Sequence, residues 1–405
     1  MEKSSKQEQH LKKRPSAILS LMPIVMLVAM LTCTIRSFGS NALDGASQIT
    51  LLAVSALCVL IGMGWLNVPW ASFEKAIVKN VSSVASALVI LLLIGALGGA
   101  WMVSGVVPSL IYYGLHIIHP GVFLASSCLI CALVSVIITI ALIIFAVAGF
   151  FCSTSSSQDI ATFASSLGTR FNITPWLLLV PVLTGLMIAR KIPPVITLFL
   201  SILLAVVFGL VFQTDAMREI DPSLFKAAMK SVYGSTALHS DNPMLADLVS
   251  TRGMAGMMPT IWLIICAMCL GGCMAAGGMV GGITRLFIHM VKGRTSLVGS
   301  TAATGVMLNV AIADQYLCIL LTGNMFRDIY DREGYERRLL SRTTEDAVTV
   351  TSVLVPWNTC GMTQSTVLGV ATFTYLPYCF FNIISPVMSV VVAALGYKIW
   401  RKPNK

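Results

Sequence analysis

Long apolar runs separated by short polar breaks make up this chain, and the length of the runs decides which solvent it folds in. Runs of about the length needed to cross a bilayer as a helix occupy 16–35, 47–66, 82–103, 175–189, 192–212, 258–277, 295–323 and 376–397. A hydrocarbon layer of roughly 30 Å calls for about 20 such residues. Between the second and third runs, the stretch PWASFEKAIVKN sets Phe73, Ile77 and Val78 on one side and Lys75 and Lys79 on another. That pattern predicts a separate helix lying in the headgroup region. The run Val106–Ile118 is too short to cross unaided, and an uncharged run extends from Gly121 to Cys152. A polar interval over 213–253 contains Leu224–Leu238, which is expected at the surface. Arg190 and Lys191 separate two runs and point that turn toward the cytoplasm.

Composition agrees with the pattern. The 405 residues are 56% hydrophobic and 11% charged, and the mean hydropathy of +0.85 lies far outside the soluble range. No Asp, Glu, Lys or Arg occurs between Lys79 and Asp159, so this is an integral membrane protein. The net charge of +10 sits largely in the tails and short loops, where it reads as positive-inside topology and not as a nucleic-acid surface. The N-terminal basic residues precede an apolar run too long for a signal peptide and without an A-x-A site, so that run is read as a retained span. Cys128 and Cys131, and Cys266, Cys269 and Cys273, are a helical turn apart, with no His or carboxylate to complete a ligand set. They read as packing residues.

One stretch departs from the apolar pattern at membrane depth. From Asn309 to Gly361, two apolar arms, Asn309–Thr322 and Ala347–Trp357, flank a loop with Arg327, Arg332, Arg337, Arg338 and Arg342. Asp314 lies in the first arm, while Glu345 and Asp346 open the second. Carboxylates inside a membrane are expensive and mark an ion or proton path by default. On a continuous helix, Asn309 and Asp314 offer an amide and a carboxylate oxygen to one cavity, hard ligands suited to sodium. Withdrawal from water disfavours the charged carboxylate, so a proton can compete with a cation there. Thr349, Thr351, Asn358 and Thr359 surround Pro356, where a broken helix would offer carbonyls to an ion. The plainer readings are an ion pair for Asp314, a capping box over Thr343–Asp346 and satisfied helix hydroxyls for the rest. His116 and His289 are expected at the membrane interface.

A repeat is legible in the letters. At an offset of 173, Gly98 and Gly99 match Gly271 and Gly272, Gly105 matches Gly278, Val107 matches Val280, His116 matches His289 and Ser127 matches Ser300. Two copies of one membrane unit, inverted as in many secondary transporters, are expected. Gly95 and Gly99, and Gly277 and Gly281, suit close helix contacts. In the second copy about 75 residues separate Asn309 from the closing span near Pro386, whereas Val136, the partner of Asn309, leads straight into such a span. The 32 residues of Gly121–Cys152 would make about 48 Å of helix, too long for one crossing and too short for two. The first repeat therefore reads as internally shortened, with two half-helices fused.

Together, ADQY (313–316), MFRDIY (325–330), LSRTTEDAVTVTS (340–352), PWNTCG (356–361) and YLPYCFFNIISP (375–386) resemble the NhaC family of bacterial sodium/proton antiporters. The resemblance covers nearly all of the chain. It implies an all-α polytopic transporter with two inverted repeats and broken helices. It also implies exchange of Na+ for H+ across the inner membrane and no cofactor. Partners are then the lipid bilayer and, for the chain itself, a homo-oligomer. The family's first repeat usually carries a Gly-Ser-Ser-Trp-Thr-Thr stretch and a Gly-Asp-Lys-x-Ser-Pro-Leu-Ser-Asp-Thr-Thr stretch, and this sequence contains neither. Beside the antiporter therefore stand a non-transporting or regulatory paralogue and a carboxylic-acid/cation exchanger of malate/lactate type. No enzyme motif is present. The expected divisions are cytoplasmic tails at 1–15 and 398–405, N-terminal spans and interfacial helix at 16–81, the shortened repeat at 82–152, a connecting region at 153–257 and the second repeat at 258–397.

Overall fold

The computed structural model describes residues 15–38, 45–117, 157–239, 243–368, 370–397 and 399–401. The run Gly121–Cys152, with Ser127, Cys128, Cys131 and Val136, the side chain of His116, and residues 1–14 and 402–405 of the tails lie outside them. In chain order the helices are α1 (Ala17–Phe38), α2 (Ala46–Gly64), α3 (Trp70–Val103), α4 (Val106–Ile117), α5 (Ser157–Arg170), α6 (Leu179–Ala189), α7 (Pro194–Phe212), α8 (Thr214–Ile220), α9 (Leu224–Tyr233) and α10 (Pro243–Leu248). They continue with α11 (Met258–Ala276), α12 (Met279–Ile288), α13 (Arg294–Ile312), α14 (Gln315–Arg332), α15 (Arg337–Thr344), α16 (Thr359–Leu368), α17 (Thr372–Tyr375) and α18 (Phe380–Leu395). Among the described residues, six helices are long and apolar enough to cross a membrane, or up to eight when each of two bent pairs counts as one span. The protein is an all-α, multi-pass membrane protein.

Two of the expected spans are redrawn. The headgroup helix over 70–81 and the span over 82–103 are one helix, α3, of 34 residues. Its interior holds no proline and its first glycine is Gly95, so nothing ends the helix between Lys79 and the apolar run. The run 295–323 is instead two helices, α13 and α14, parted at Ala313 and Asp314. The last span is bent by 58° between Thr372–Tyr378 and α18.

The chain divides into two compact units, 1–85 with 259–405, and 86–258. In the second, α7 turns Ser201 and Ala205 inward, where Ala96, Ala100, Leu177 and Val180 complete a core. Trp101 donates its indole N–H to Ser201 at 3.1 Å, and Thr184 and Ser201 share a 2.7 Å bond. The rest of α7 leaves Phe199, Leu203, Val207 and Val211 exposed, an apolar surface that fits lipid and not water. On α9, Phe225, Met229 and Tyr233 are exposed as a surface helix would leave them.

The repeat has a local structural counterpart. α3 ends at Val103 and α11 at Ala276; each is followed by a left-handed glycine, Gly105 at φ +80° and Gly278 at φ +68°. The next helices start at Val106 and Met279. Every one of these positions is related by the same offset of 173 read from the letters, and the positive φ explains why glycine stands at both.

In the unit formed by 1–85 and 259–405, α13 is central. α12, α14, α15 and α18 pack on it. Gly299 meets Val390 of α18, and Arg294 donates to the carbonyl of Ala394 at 2.9 Å, so α18 runs antiparallel to α13. Past α18, Trp400 and Arg401 fold back on the loop between α14 and α15. Glu336 N–H donates to the Trp400 carbonyl at 3.2 Å, Tyr335 and Arg401 form an isolated bridge, and the Arg338 guanidinium lies 5.7 Å over the Trp400 ring. Arg285, in the last turn of α12, donates to the Pro15 carbonyl. The start of α1, the Arg-rich loop and the C-terminal segment therefore share one face of this unit.

Candidate functional site

At the opposite end of α13 from that face, two helix breaks meet. The first is the reversal between α13 and α14. Ala313 takes a left-handed φ of +61°, unfavourable for a residue with a Cβ, and Asp314 is extended at φ −133°, ψ 121°. Asp314 is 5% exposed and is the N-cap of α14, accepting from the Leu317 N–H at 2.8 Å. Tyr316 N–H and the Thr359 hydroxyl also bond to it. Its place is thus a buried turn at a helix N-terminus, where the dipole favours an anion, and not the middle of a continuous helix five residues beyond Asn309.

The second break lies beyond α15. The helix widens into a π turn over Glu345–Thr349, closed by the Val350 N–H on the Glu345 carbonyl at 3.2 Å. A short 3-10 turn over Ser352–Leu354 follows, and α16 starts only at Thr359. Pro356 cannot donate to a helix and disfavours helical geometry at Val355, which is extended. The expected break around Pro356 is therefore present. Gly361 fits beside it because a Cβ there would stand 2.1 Å from the Val355 carbonyl oxygen.

Side-chain amides tie the two breaks together. Asn309, fully buried, donates to the Val348 carbonyl at 2.8 Å and to the Thr351 hydroxyl at 3.1 Å. Asn358, also fully buried, donates to the backbone carbonyl of Asn309 at 3.2 Å and lies 3.4 Å from its amide oxygen. Thr359 N–H donates to the Ala313 carbonyl at 2.9 Å. The structure thus brings together Asn309, Asp314, Thr351, Asn358 and Thr359. Asn309, Thr351, Asn358 and Thr359 form one hydrogen-bonded chain, and of these Thr359 bonds the Asp314 carboxylate.

Three of the expected residues fall elsewhere. Asp346 accepts from Ser389 of α18 and pairs with Arg342 at 3.6 Å. Glu345 is exposed and accepts from Thr349 at 3.2 Å. The capping box over Thr343–Asp346 is absent: these residues lie inside a continuing helix, and the Thr343 hydroxyl donates back to the Leu339 carbonyl at 2.9 Å. Helix continuation from Arg337 makes a cap at Thr343 unnecessary.

Four residues join the site that sequence reasoning did not single out. Gln315 accepts from Ser352 at 3.2 Å and from the Cys360 thiol at 2.5 Å. Trp357 donates to the Val310 carbonyl at 2.8 Å, Asn382 to the Val350 carbonyl at 2.7 Å and Tyr375 to the Val353 carbonyl at 2.8 Å. The carbonyls freed at the second break are thereby largely paired with side-chain donors. Gln315 could have been noticed as a second polar residue beside Asp314. The donors on the far strand of chain have no local signal.

The profile of the Na+/H+ antiporter family matches residues 134–397, more than half of the chain and all of the two breaks. The chain belongs to that family. Over 91% of its length it is 24% identical to the Na+/H+ antiporter NhaC of Bacillus subtilis, covering 95% of that protein. It is 25% identical to the malate-2H+/Na+-lactate antiporter of the same organism, with 95% of this chain and 97% of that one matched. It is 24% identical to the arginine/ornithine antiporter ArcD of Halobacterium salinarum, with 96% and 94% matched. No solved structure matches. The NhaC match extends over 446 positions, yet 91% of 405 residues is about 369, so about 77 positions of that match face no residue of this chain. The match to the malate/lactate protein, 462 positions against about 385 residues, leaves about 77 as well.

Proposed function

We propose that this antiporter-family protein carries its ion site at the two breaks and exchanges Na+ for H+ there, in a bacterial inner membrane with both termini cytoplasmic. The observation that carries the reading is the buried Asp314 carboxylate, set at a helix N-terminus, bonded by Thr359 and linked through it to Asn358, Asn309 and Thr351. A monovalent cation and a proton would compete for that carboxylate, and alternate occupancy is what couples the two fluxes. Glu345 and Asp346 then act at the edge of the site, not in it. The test is sodium-dependent proton movement in proteoliposomes under an imposed pH gradient. Asp314→Asn should abolish it with the protein still in the membrane, and retained exchange would defeat the assignment.

A second reading is favoured by the missing positions. They number about 77, close to what the fused run at 121–152 would lack, and the family match starts at residue 134, inside that run. If the gap lies there, an inverted-repeat site has lost the ligands of its first half. The chain would then insert correctly, since two crossings are lost together, but exchange ions poorly unless a partner supplies the other half. A graft of an intact relative's first-repeat centre after Val136 should raise the flux; equal flux with and without the graft would show that the second repeat suffices. Carboxylate or amino-acid exchange, suggested by two of the relatives, would be seen as sodium flux that depends on malate, lactate or arginine.

A further inference from the structure

We propose that a hydroxyl-lined path runs between α13, α14, the α15–π segment and α18, joining the two breaks to the face that carries the Arg-rich loop. It is a route for a proton or a partly hydrated monovalent cation. The proposal rests on the reading above only for the identity of what moves, and on geometry for the path itself.

The register of these elements is set by named contacts. At one level Thr301 of α13 bonds Tyr330 of α14 at 3.2 Å, and Thr343 of α15 bonds Tyr330 as well. At the next, Gly305 faces Val348, and at the third Asn309 reaches Val348 and Thr351. On α18, Ser389 reaches Asp346 and Asn382 reaches Val350. The helices α13 and α15 thus run parallel, with α14 and α18 antiparallel to both. From Thr301 to Asn309 is about 12 Å of helix.

Within that interval stand four buried hydroxyls, one from each element: Thr304, Thr322, Thr344 and Ser385. They are at most 5% exposed, and none makes a hydrogen bond with the described protein. Ser385 lies between Asn382 and Ser389 on the α18 stripe that meets the π turn, and Thr322 lies two turns from Tyr330, level with Asn309. Helix threonines ordinarily return their hydroxyl to the carbonyl four residues back. Thr301 and Thr343 do so here, whereas Thr304, Thr322 and Thr344 do not. Four unpaired hydroxyls from four helices in one interval do not fit a dry core, where buried polar groups are paired. They fit a route whose occupants supply the missing hydrogen bonds. Its ends are polar too: the Asp314 and Asn309 cluster at one, and the Thr301, Tyr330 and Thr343 group below the Arg-rich loop at the other.

Accessibility tests this without requiring transport. In a background with the native cysteines replaced, Thr304→Cys, Thr322→Cys and Ser385→Cys are treated with a small cationic methanethiosulfonate from the loop side. Only an ionised thiol in contact with water reacts, so the expected rates exceed that of Val387→Cys, on the exposed apolar side of α18, by at least about tenfold. Rates no higher than the Val387→Cys control would overturn the path. As a check that needs no cysteine background, Thr304→Val and Thr322→Val in the native chain should leave Tm unchanged or lower it. A raised Tm in both would mean that the valines had relieved a dry core, which also overturns the path. Labelling without sodium-dependent proton flux leaves the path and removes the exchange reading, while flux without labelling removes the path alone.

Discussion

Asp314 does two separable things, and the difference between asparagine and alanine separates them. As N-cap of α14 it accepts from Leu317 N–H, a role asparagine fills as well as aspartate does, whereas alanine loses about 1 kcal/mol. Asp314→Asn should therefore keep the thermal stability of the native protein while losing coupled exchange; Asp314→Ala should lose both. Thermal unfolding in detergent alongside vesicle flux checks this. Asn309 is different, because its amide holds the second break to α13 through Val348 and Thr351. Asn309→Leu leaves the buried Val348 carbonyl without that donor and should destabilise by about 1–3 kcal/mol. Unfolding that matches the native protein would show that the two breaks do not depend on this link.

Among the elements, the break after the π turn depends on small residues more than on the carboxylates that mark it in the sequence. A Cβ at Gly361 would lie 2.1 Å from the Val355 oxygen and 3.0 Å from its carbonyl carbon, both backbone atoms that cannot rotate away. Gly361→Ala should therefore shift the Val353–Asn358 segment and weaken the Asn358 bonds to Asn309. The expected result is a lower Tm and, in a chain that transports, an altered apparent sodium affinity. Gly323→Ala on α14, where a Cβ would meet nothing within 4 Å, is the neutral comparison. Equal Tm values for the two variants would refute the account of this break.

For the whole molecule, the shared face formed by Pro15, the Arg-rich loop and Arg401 carries the topological prediction. Basic residues concentrate there, so that face should be cytoplasmic, and residue 334 in its loop should be reached by impermeant thiol reagents only from inside. A cysteine placed at 334 and labelled from outside intact cells would rule it out. The same orientation places the Asp314 end of α13 toward the opposite side of the membrane, with the four hydroxyls between.

The sequence by itself determined the solvent, most of the spans and the region of the breaks. These follow from properties that accumulate along the chain: apolar run length against a fixed bilayer thickness, and a proline among polar residues. Only the tertiary structure decided the direction of the chain at Asp314. The apolar pattern runs on through Ala313, and an alanine in left-handed geometry carries no local signal, so one helix of 29 residues and two antiparallel helices look alike in the letters. Tertiary structure also decided membership of the site. Asn382 and Tyr375 arrive from 22 to 32 residues away along the chain, while Glu345 and Asp346, the more conspicuous carboxylates, face elsewhere. Polarity at membrane depth reports that a group needs a partner; which partner it finds depends on helix packing and rotation, which no local pattern encodes.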